Sequence, residues 1–272
     1  MSMSKIGTAI REIHSLDALA ARDRWVNRLH PLVKLVLTVG YIAVVISFDK
    51  YDIMGLAGMV VYPLAVFMLG ELSFKACIRR IWIVLPLVCF VGVLNPLFDK
   101  NQVLIAGVPV SAGVLSMGTL IFKGAFSLLA SYLLVATTSV DKLCYAFRML
   151  HVPKALVTQL MLTYRYITVL LEEVDRVTQA YALRAPGQKG VHFKVWGSLA
   201  GQLLLRSVDR ANDVYESMLL RGYKGEYPYL KSTVAVRRQD IFYLLFWVAV
   251  LVLFRLCPVV LLVGGLVGGV LR

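Results

Sequence analysis

The stretch LVKLVLTVGYIAVVISF (Leu32–Phe48), DKYD (Asp49–Asp52), IMGLAGMVVYPLAVFMLG (Ile53–Gly70) decides the fold. The first block carries one charge, Lys34, and the last carries none. At about 1.5 Å per helical residue, each approaches the roughly 30 Å of hydrocarbon in a bilayer. Pro31 precedes the first block, where a helix tolerates proline in its opening turn. The four-residue turn between the blocks makes the two helices antiparallel neighbours.

The rest of the chain is read outward from this pair. Ile81–Phe98 is a third span, and Pro86 with Asn95-Pro96 predicts a kink in it. From Val103 to Thr138 a long apolar run is punctuated by Gly107, Pro109, Gly113 and Gly118. It reads as one span near Leu120–Thr138 behind a re-entrant or loop segment, with a hairpin of two spans as the alternative. Lys123 there is expected to snorkel to the interface. Ile241–Leu271 returns to lipid, interrupted by Arg255 and Pro258.

Composition agrees. Of 272 residues, 59% are apolar and 17% charged, with a mean hydropathy of +0.74, against about 45–50% and 25% in soluble domains. A soluble enzyme, a disordered chain and a disulfide scaffold are excluded. The net charge of +13 is read as retention of basic loops in the cytoplasm. Nucleic acid is not expected as a partner, because no basic stripe interleaves with aromatics. Cys77, Cys89, Cys144 and Cys257 stand alone and read as small apolar fillers. Arg11, Glu12, Asp17, Arg22, Asp23 and Arg24 leave no apolar core for a signal peptide.

Between Ser139 and Asp240 lie fifteen Lys/Arg and nine Asp/Glu, more than half of all charges. The fold class expected is therefore all-α: a polytopic helical membrane protein with a cytoplasmic domain of long amphipathic helices. Its parts are a cytoplasmic segment 1–31, about four spans in 32–138, the cytoplasmic block 139–240, and a membrane segment 241–272. The basic residues Lys75, Arg79 and Arg80 of the second loop put it on the same side as the N-terminus.

Two long helices are predicted in the polar block. Pro153–Ala185 stops at Ala185-Pro186-Gly187. Its apolar seam runs Leu156, Leu160, Thr163, Ile167, Leu170, Val174, Val177, Tyr181, the spacing of a helix packed along a partner. His192–Arg221 has a looser seam through Leu199, Leu203, Val208, Ala211, Tyr215 and Met218, and ends at Gly222, a good left-handed residue past a helix end. Asp141–Leu150 is a shorter amphipathic helix leading in.

The two helices repeat each other. Val174-Asp175-Arg176 with Tyr181 matches Val208-Asp209-Arg210 with Tyr215, thirty-four residues on. Each ends in Leu-Arg-small: Leu183-Arg184-Ala185 and Leu220-Arg221-Gly222. One Arg in a last turn is accounted for by the helix macrodipole. Two matched tips suit paired receptor sites, and a guanidinium fork suits a carboxylate or carbonyl clamp. No GxxxxGK[ST] is present to cradle ATP, no HExxH or GxSxG occurs, and His14, His30, His151 and His192 are scattered. No catalytic residue, metal ligand or cofactor is expected.

Asn27-Arg28-Leu29-His30-Pro31-Leu32-Val33-Lys34-Leu35 resembles the Pro-x-x-Lys-Leu start of the first span in transmembrane T components of energy-coupling factor transporters. Leu133–Ala185, with its Val152-Pro153 and Tyr164-Arg165-Tyr166, is similar to the coupling region of that family. The two Leu-Arg-small ends resemble its two short Arg motifs. The nearest likeness is to the cobalt member CbiQ, with the nickel counterpart NikQ close, over about residues 20–260.

The resemblance implies a non-catalytic scaffold. Two ABC ATPase subunits (CbiO-like) would each receive one tip, through Leu183, Arg184 and Ala185 and through Leu220, Arg221 and Gly222. The spans, in the lipid bilayer of the inner membrane, would pack against a separate metal-binding subunit (CbiM-like, with a small CbiN-like subunit). Ala185 stands where the family often has Gly, and its methyl group is expected to loosen that contact. The alternatives weighed against this are a membrane enzyme acting on a lipid or prenyl substrate, a stand-alone channel or carrier, and the T component of a vitamin transporter. Glu172, Glu173 and Asp175 are the one acidic cluster an enzyme could use, and on a helix they fan apart. They are read as solvating the helix or pairing with Arg176.

Overall fold

The computed structural model describes residues 3–256 apart from 23, 72–73, 99–101, 106–107, 188–190 and 226–235. The elements are α1 (Met3–Ala20), α2 (Trp25–Arg28), α3 (Pro31–Ile46), α4 (Ile53–Gly58), α5 (Val61–Gly70), α6 (Phe74–Phe98), β1 (Gln102–Ile105), β2 (Val108–Ser111), α7 (Ala112–Thr137), α8 (Val140–Met149), α9 (Lys154–Arg184), α10 (Phe193–Leu220) and α11 (Arg238–Leu256). The protein is an all-α polytopic membrane protein with one short antiparallel hairpin. The chain divides into two compact units: Ala20–Thr138 with Ala235–Arg272, and Met1–Leu19 with Ser139–Val234.

In the apolar unit, Ile53–Gly70, α7 and α11 are long and apolar enough to cross a membrane, while α3 and the Leu85–Pro96 part of α6 are apolar but shorter. The run after Val103 resolves into a single helix. It begins at Ala112, eight residues before Leu120, and takes Gly113 and Gly118 inside it. The re-entrant or loop segment is the β1–β2 hairpin, in which Gln102 faces Ser111 and Ile105 faces Val108. The expected continuation of the last span from Cys257 onward, and the Asp99–Asn101 turn, lie outside the described residues.

The core joins Val33, Leu37 and Tyr41 of α3, Leu56 and Met59 beside α4, Tyr62 and Val66 of α5, Leu133 of α7 and Trp247 of α11. Tyr62 stacks obliquely on Tyr41 with ring centroids 4.7 Å apart, and meets the edge of Trp247 at 5.0 Å. The break between α4 and α5 has a covalent cause. A continuous helix would offer the Met59 carbonyl to residue 63, a proline with no N–H. The Tyr41 hydroxyl donates to that carbonyl instead, at 2.9 Å.

Two lysines lace α3 to α7. Lys34 Nζ, buried, donates to the Thr137 carbonyl at the end of α7 (2.8 Å). Lys123 of α7 donates to the Ile46 and Phe48 carbonyls at the end of α3. The helices are therefore antiparallel, and each lends a cation to its neighbour's negative pole. Lys123, expected to snorkel, reaches these backbone carbonyls at the end of α3. Arg255 adds to the same end of α3, donating to the Ser47 carbonyl at 3.3 Å and lying 4.8 Å over the Phe48 ring.

The second unit is amphipathic. α9 is about 46 Å long at 1.5 Å per residue over its 31 residues. It buries Val157 and Thr158, whereas α10 buries no residue. The predicted α9 seam holds in part: Leu156, Leu160 and Ile167 are exposed, while Thr163 and Leu170 line the groove toward α10 and Val174, Val177 and Tyr181 are half-buried. Ala155, Leu162, Tyr166 and Val169 also face α10 across this groove of about 540 Å³. α9 is apolar on adjoining positions (Leu156-Val157, Leu160-Met161-Leu162), so periodicity alone did not select the face. On α10 the predicted Val208 and Tyr215 are exposed, and Ser207, Val214 and Met218 are less so. α1 was not predicted as a helix. It is anchored to α9 by the Tyr164 hydroxyl, which donates to Asp17 Oδ1 at 2.8 Å.

Candidate functional site

The two Leu-Arg-small segments sit at the C-termini of α9 and α10. The helices approach each other where Arg206 of α10 pairs with Glu173 of α9. The groove beyond is lined by the first half of α9 and the last half of α10. The pair is therefore antiparallel, and its two C-terminal tips lie at opposite ends. Glu173 also lies 3.6 Å from Arg176, the pairing read from the sequence, but its interhelical partner Arg206 was not foreseen. Asp175 accepts from Gln179 Nε2 at 2.6 Å.

At the first tip Arg184 closes α9 and is exposed, and Leu183 is 84% exposed. The Ala185 N–H still reaches the Tyr181 carbonyl at 3.1 Å, but Ala185 itself has φ −125° and ψ 67°, ordinary territory for an L-residue. Pro186 follows and ends the helix, and Gly187 takes the left-handed turn at φ +95°.

The second tip ends differently. Gly222 has φ +79°, as its position past the helix predicted. Its N–H donates to the Leu219 carbonyl at 2.9 Å, and Tyr223 N–H donates to the Met218 carbonyl at 2.9 Å. These two bonds form a Schellman motif, which satisfies carbonyls that a helix end leaves open. Tyr223 then turns back into the apolar groove. Leu220 is 90% exposed. Arg221 lines a cleft of about 280 Å³ together with Arg165, Arg210 and Asp213.

Leucines exposed to this degree, on the two helix ends that also present arginine, are disposed for burial against another surface. The six residues singled out in the sequence stand at these two helix ends. Arg165 was not foreseen beside Arg221, because it lies fifty-six residues away and only the helix pairing brings it to the same cleft.

Other groups singled out earlier have structural places. His30 and His192 cap α3 and α10, each accepting on Nδ1 from the N–H two residues on. His151 adopts φ +63° between α8 and α9. Cys77 and Cys144 are buried and form no disulfide among the described residues. Burial, reinforced by Asp141, pushes the Cys144 thiol above its usual range and keeps it neutral.

These features define a polytopic helical membrane protein that carries a pair of long amphipathic helices with matched cationic ends. Residues 22–231 match the family described as CbiQ, cobalt transport protein, and the chain belongs to that family. An uncharacterized protein of Methanocaldococcus jannaschii is 32% identical over 142 residues, 51% of this chain and 52% of that one; the chain thus spans about half the length of that relative. The cobalt transport protein CbiQ of Rhodobacter capsulatus is 28% identical over 82% of this chain and 90% of its own. The energy-coupling factor transporter transmembrane protein EcfT of Thermosediminibacter oceani is 26% identical over 74% and 80%.

Proposed function

We propose that this chain is the transmembrane scaffold of an ATP-driven importer of the energy-coupling factor type, carrying cobalt, with nickel as the alternative cargo. It catalyses nothing itself. Two CbiO-like ABC ATPases hydrolyse ATP, and the chain passes their movement to a CbiM-like metal-binding membrane subunit, with a small CbiN-like subunit beside it. The amphipathic unit lies in the cytoplasm and the apolar unit in the inner membrane.

The observation that carries this reading is the pair of exposed Leu-Arg ends on antiparallel rods. Antiparallel pairing sends the ends in opposite directions, which suits two receptor subunits side by side. In each, Leu183 or Leu220 is the apolar plug and Arg184 or Arg221 the charge-assisted donor. Ala185 and Gly222 keep the approach close. A rod as long as α9 carries displacement at one end to the other.

The test is capture of the ATPases by the tagged chain in detergent. Removing a charge from a buried interfacial contact costs about 2–5 kcal/mol. The double variant Arg184→Ala with Arg221→Ala is expected to recover the ATPases at a much reduced yield. Recovery at the wild-type yield would refute the tip assignment.

A further inference from the structure

Within the apolar unit, residues 20–22, the end of α7 and the start of α11 are each held by a buried polar side chain. Asn27 Nδ2 donates to the carbonyls of Ala20 (3.3 Å) and Arg22 (2.9 Å). Lys34 Nζ donates to Thr137 O at 2.8 Å, at the end of α7. Asp240 accepts from Arg237 N–H on Oδ2 at 2.8 Å, at the start of α11. Its other oxygen, Oδ1, accepts from the His30 N–H at 3.0 Å.

Asn27, His30, Lys34, Thr137, Thr138 and Asp240 are all buried. Three of them, at spacings of three and four, belong to the Asn27–Lys34 segment ahead of and within the first turn of α3. That segment therefore touches residues 20–22, the end of α7 and the start of α11. Polar groups of this kind are costly to bury unless paired, and an amide, an ammonium and a carboxylate are placed here where apolar residues would serve packing alone. Among the described residues Thr138 Oγ1, in the same place, is buried without a hydrogen-bond partner. The node is thus polar, interlocked and not fully satisfied, the character of an element able to take a second arrangement.

We propose that Asn27, His30, Lys34 and Asp240 form a single joint that ties residues 20–22, the end of α7 and the start of α11 to the start of α3, so that these helices of the apolar unit move as one. The proposal rests on the transporter reading for its consequence, and on the hydrogen bonds alone for its existence. Lys34 is a positioning residue: it acts through the end of α7.

The joint is tested first on the purified full chain in nanodiscs, by hydrogen exchange at residues 20–22, 137–140 and 237–241. Lys34→Met is expected to speed exchange at all three sites while the Leu56–Val66 core stays protected. Faster exchange confined to 137–140 overturns the joint. If Lys34→Met fails to fold, Asp240→Asn gives the same reading, with 137–140 as the informative remote site.

The second measurement uses proteoliposomes holding the whole complex and radioactive cobalt(II). Lys34→Met is expected to lower uptake per ATP hydrolysed about tenfold, with hydrolysis retained and Lys34→Arg restoring the ratio. A purely structural role would reduce the amount of assembled complex and leave that ratio unchanged, which refutes the coupling role. A wild-type complex that hydrolyses ATP and imports neither cobalt nor nickel overturns the proposed cargo, and the exchange measurement still decides the joint.

Discussion

The two tips share a three-residue pattern, and local chemistry stops the helices in two ways. α10 is closed by Gly222 in a left-handed conformation with two capping hydrogen bonds. α9 is stopped by Pro186 after an Ala185 that any L-residue could replace without strain. The second tip borders a cleft that Arg165 and Arg210 also line, whereas Arg184 stands in the open. A repeated motif therefore ends in two different local structures. One tip is closed by a Schellman motif beside further arginines, and the other presents a single exposed guanidinium.

The largest effect expected from this difference is at Arg184. Arg184→Ala alone should weaken capture of one ATPase by about 2–5 kcal/mol. Arg221→Ala should weaken it less, since Arg165 and Arg210 keep the second cleft cationic. Equal losses, measured by titrating the ATPase against each variant, would erase the electrostatic part of the comparison.

Next come the leucines. Leu183→Ala and Leu220→Ala should each cost about 1.5–3 kcal/mol of capture if the side chain is fully covered in the complex. Because both are almost wholly exposed in the isolated chain, the melting temperature should not move. A fall in melting temperature would mean that these residues serve the fold.

Smaller still is the backbone effect. Gly222→Ala forces a methyl-bearing residue into the left-handed region, at about 1–2 kcal/mol, and should speed amide exchange over Leu219–Tyr223. Ala185→Gly meets no such constraint and should leave exchange near the first tip almost unchanged. Similar responses at the two ends would contradict the different stops.

The smallest effect concerns how α9, rather than α10, is anchored. Burial, then the hydrogen bond to Asp17, raises the Tyr164 hydroxyl above the usual tyrosine range. The fold thus favours the neutral phenol. Its contribution is fully present below the unfolded value of about 10 and is lost as pH rises toward the folded one. Alkaline melts of wild type should fall above pH 10 more steeply than those of Tyr164→Phe.

Much of this was legible beforehand, for definable reasons. The apolar blocks, the helix stop at Gly222 and the tip residues are short-range properties, set by hydropathy, proline and glycine. The facing side of α9 was legible only in part, because its apolar positions adjoin one another and several faces satisfy the same periodicity. Lys123, Glu173 and Asp17 were invisible in their roles because their partners lie seventy-five, thirty-three and one hundred and forty-seven residues away. No spacing rule reaches that far.

The shortness of α3 has a consequence for the surrounding lipid. Its 16 residues extend only about 24 Å at 1.5 Å each, less than the roughly 30 Å of an average hydrocarbon layer. Lysines from either side of the α3–α7 pair pin its ends, so it cannot lengthen by unwinding. A thinner bilayer matches such a helix with less distortion. Reconstitution in shorter-chain lipids is therefore expected to suit the α3–α7 pair better than longer-chain ones.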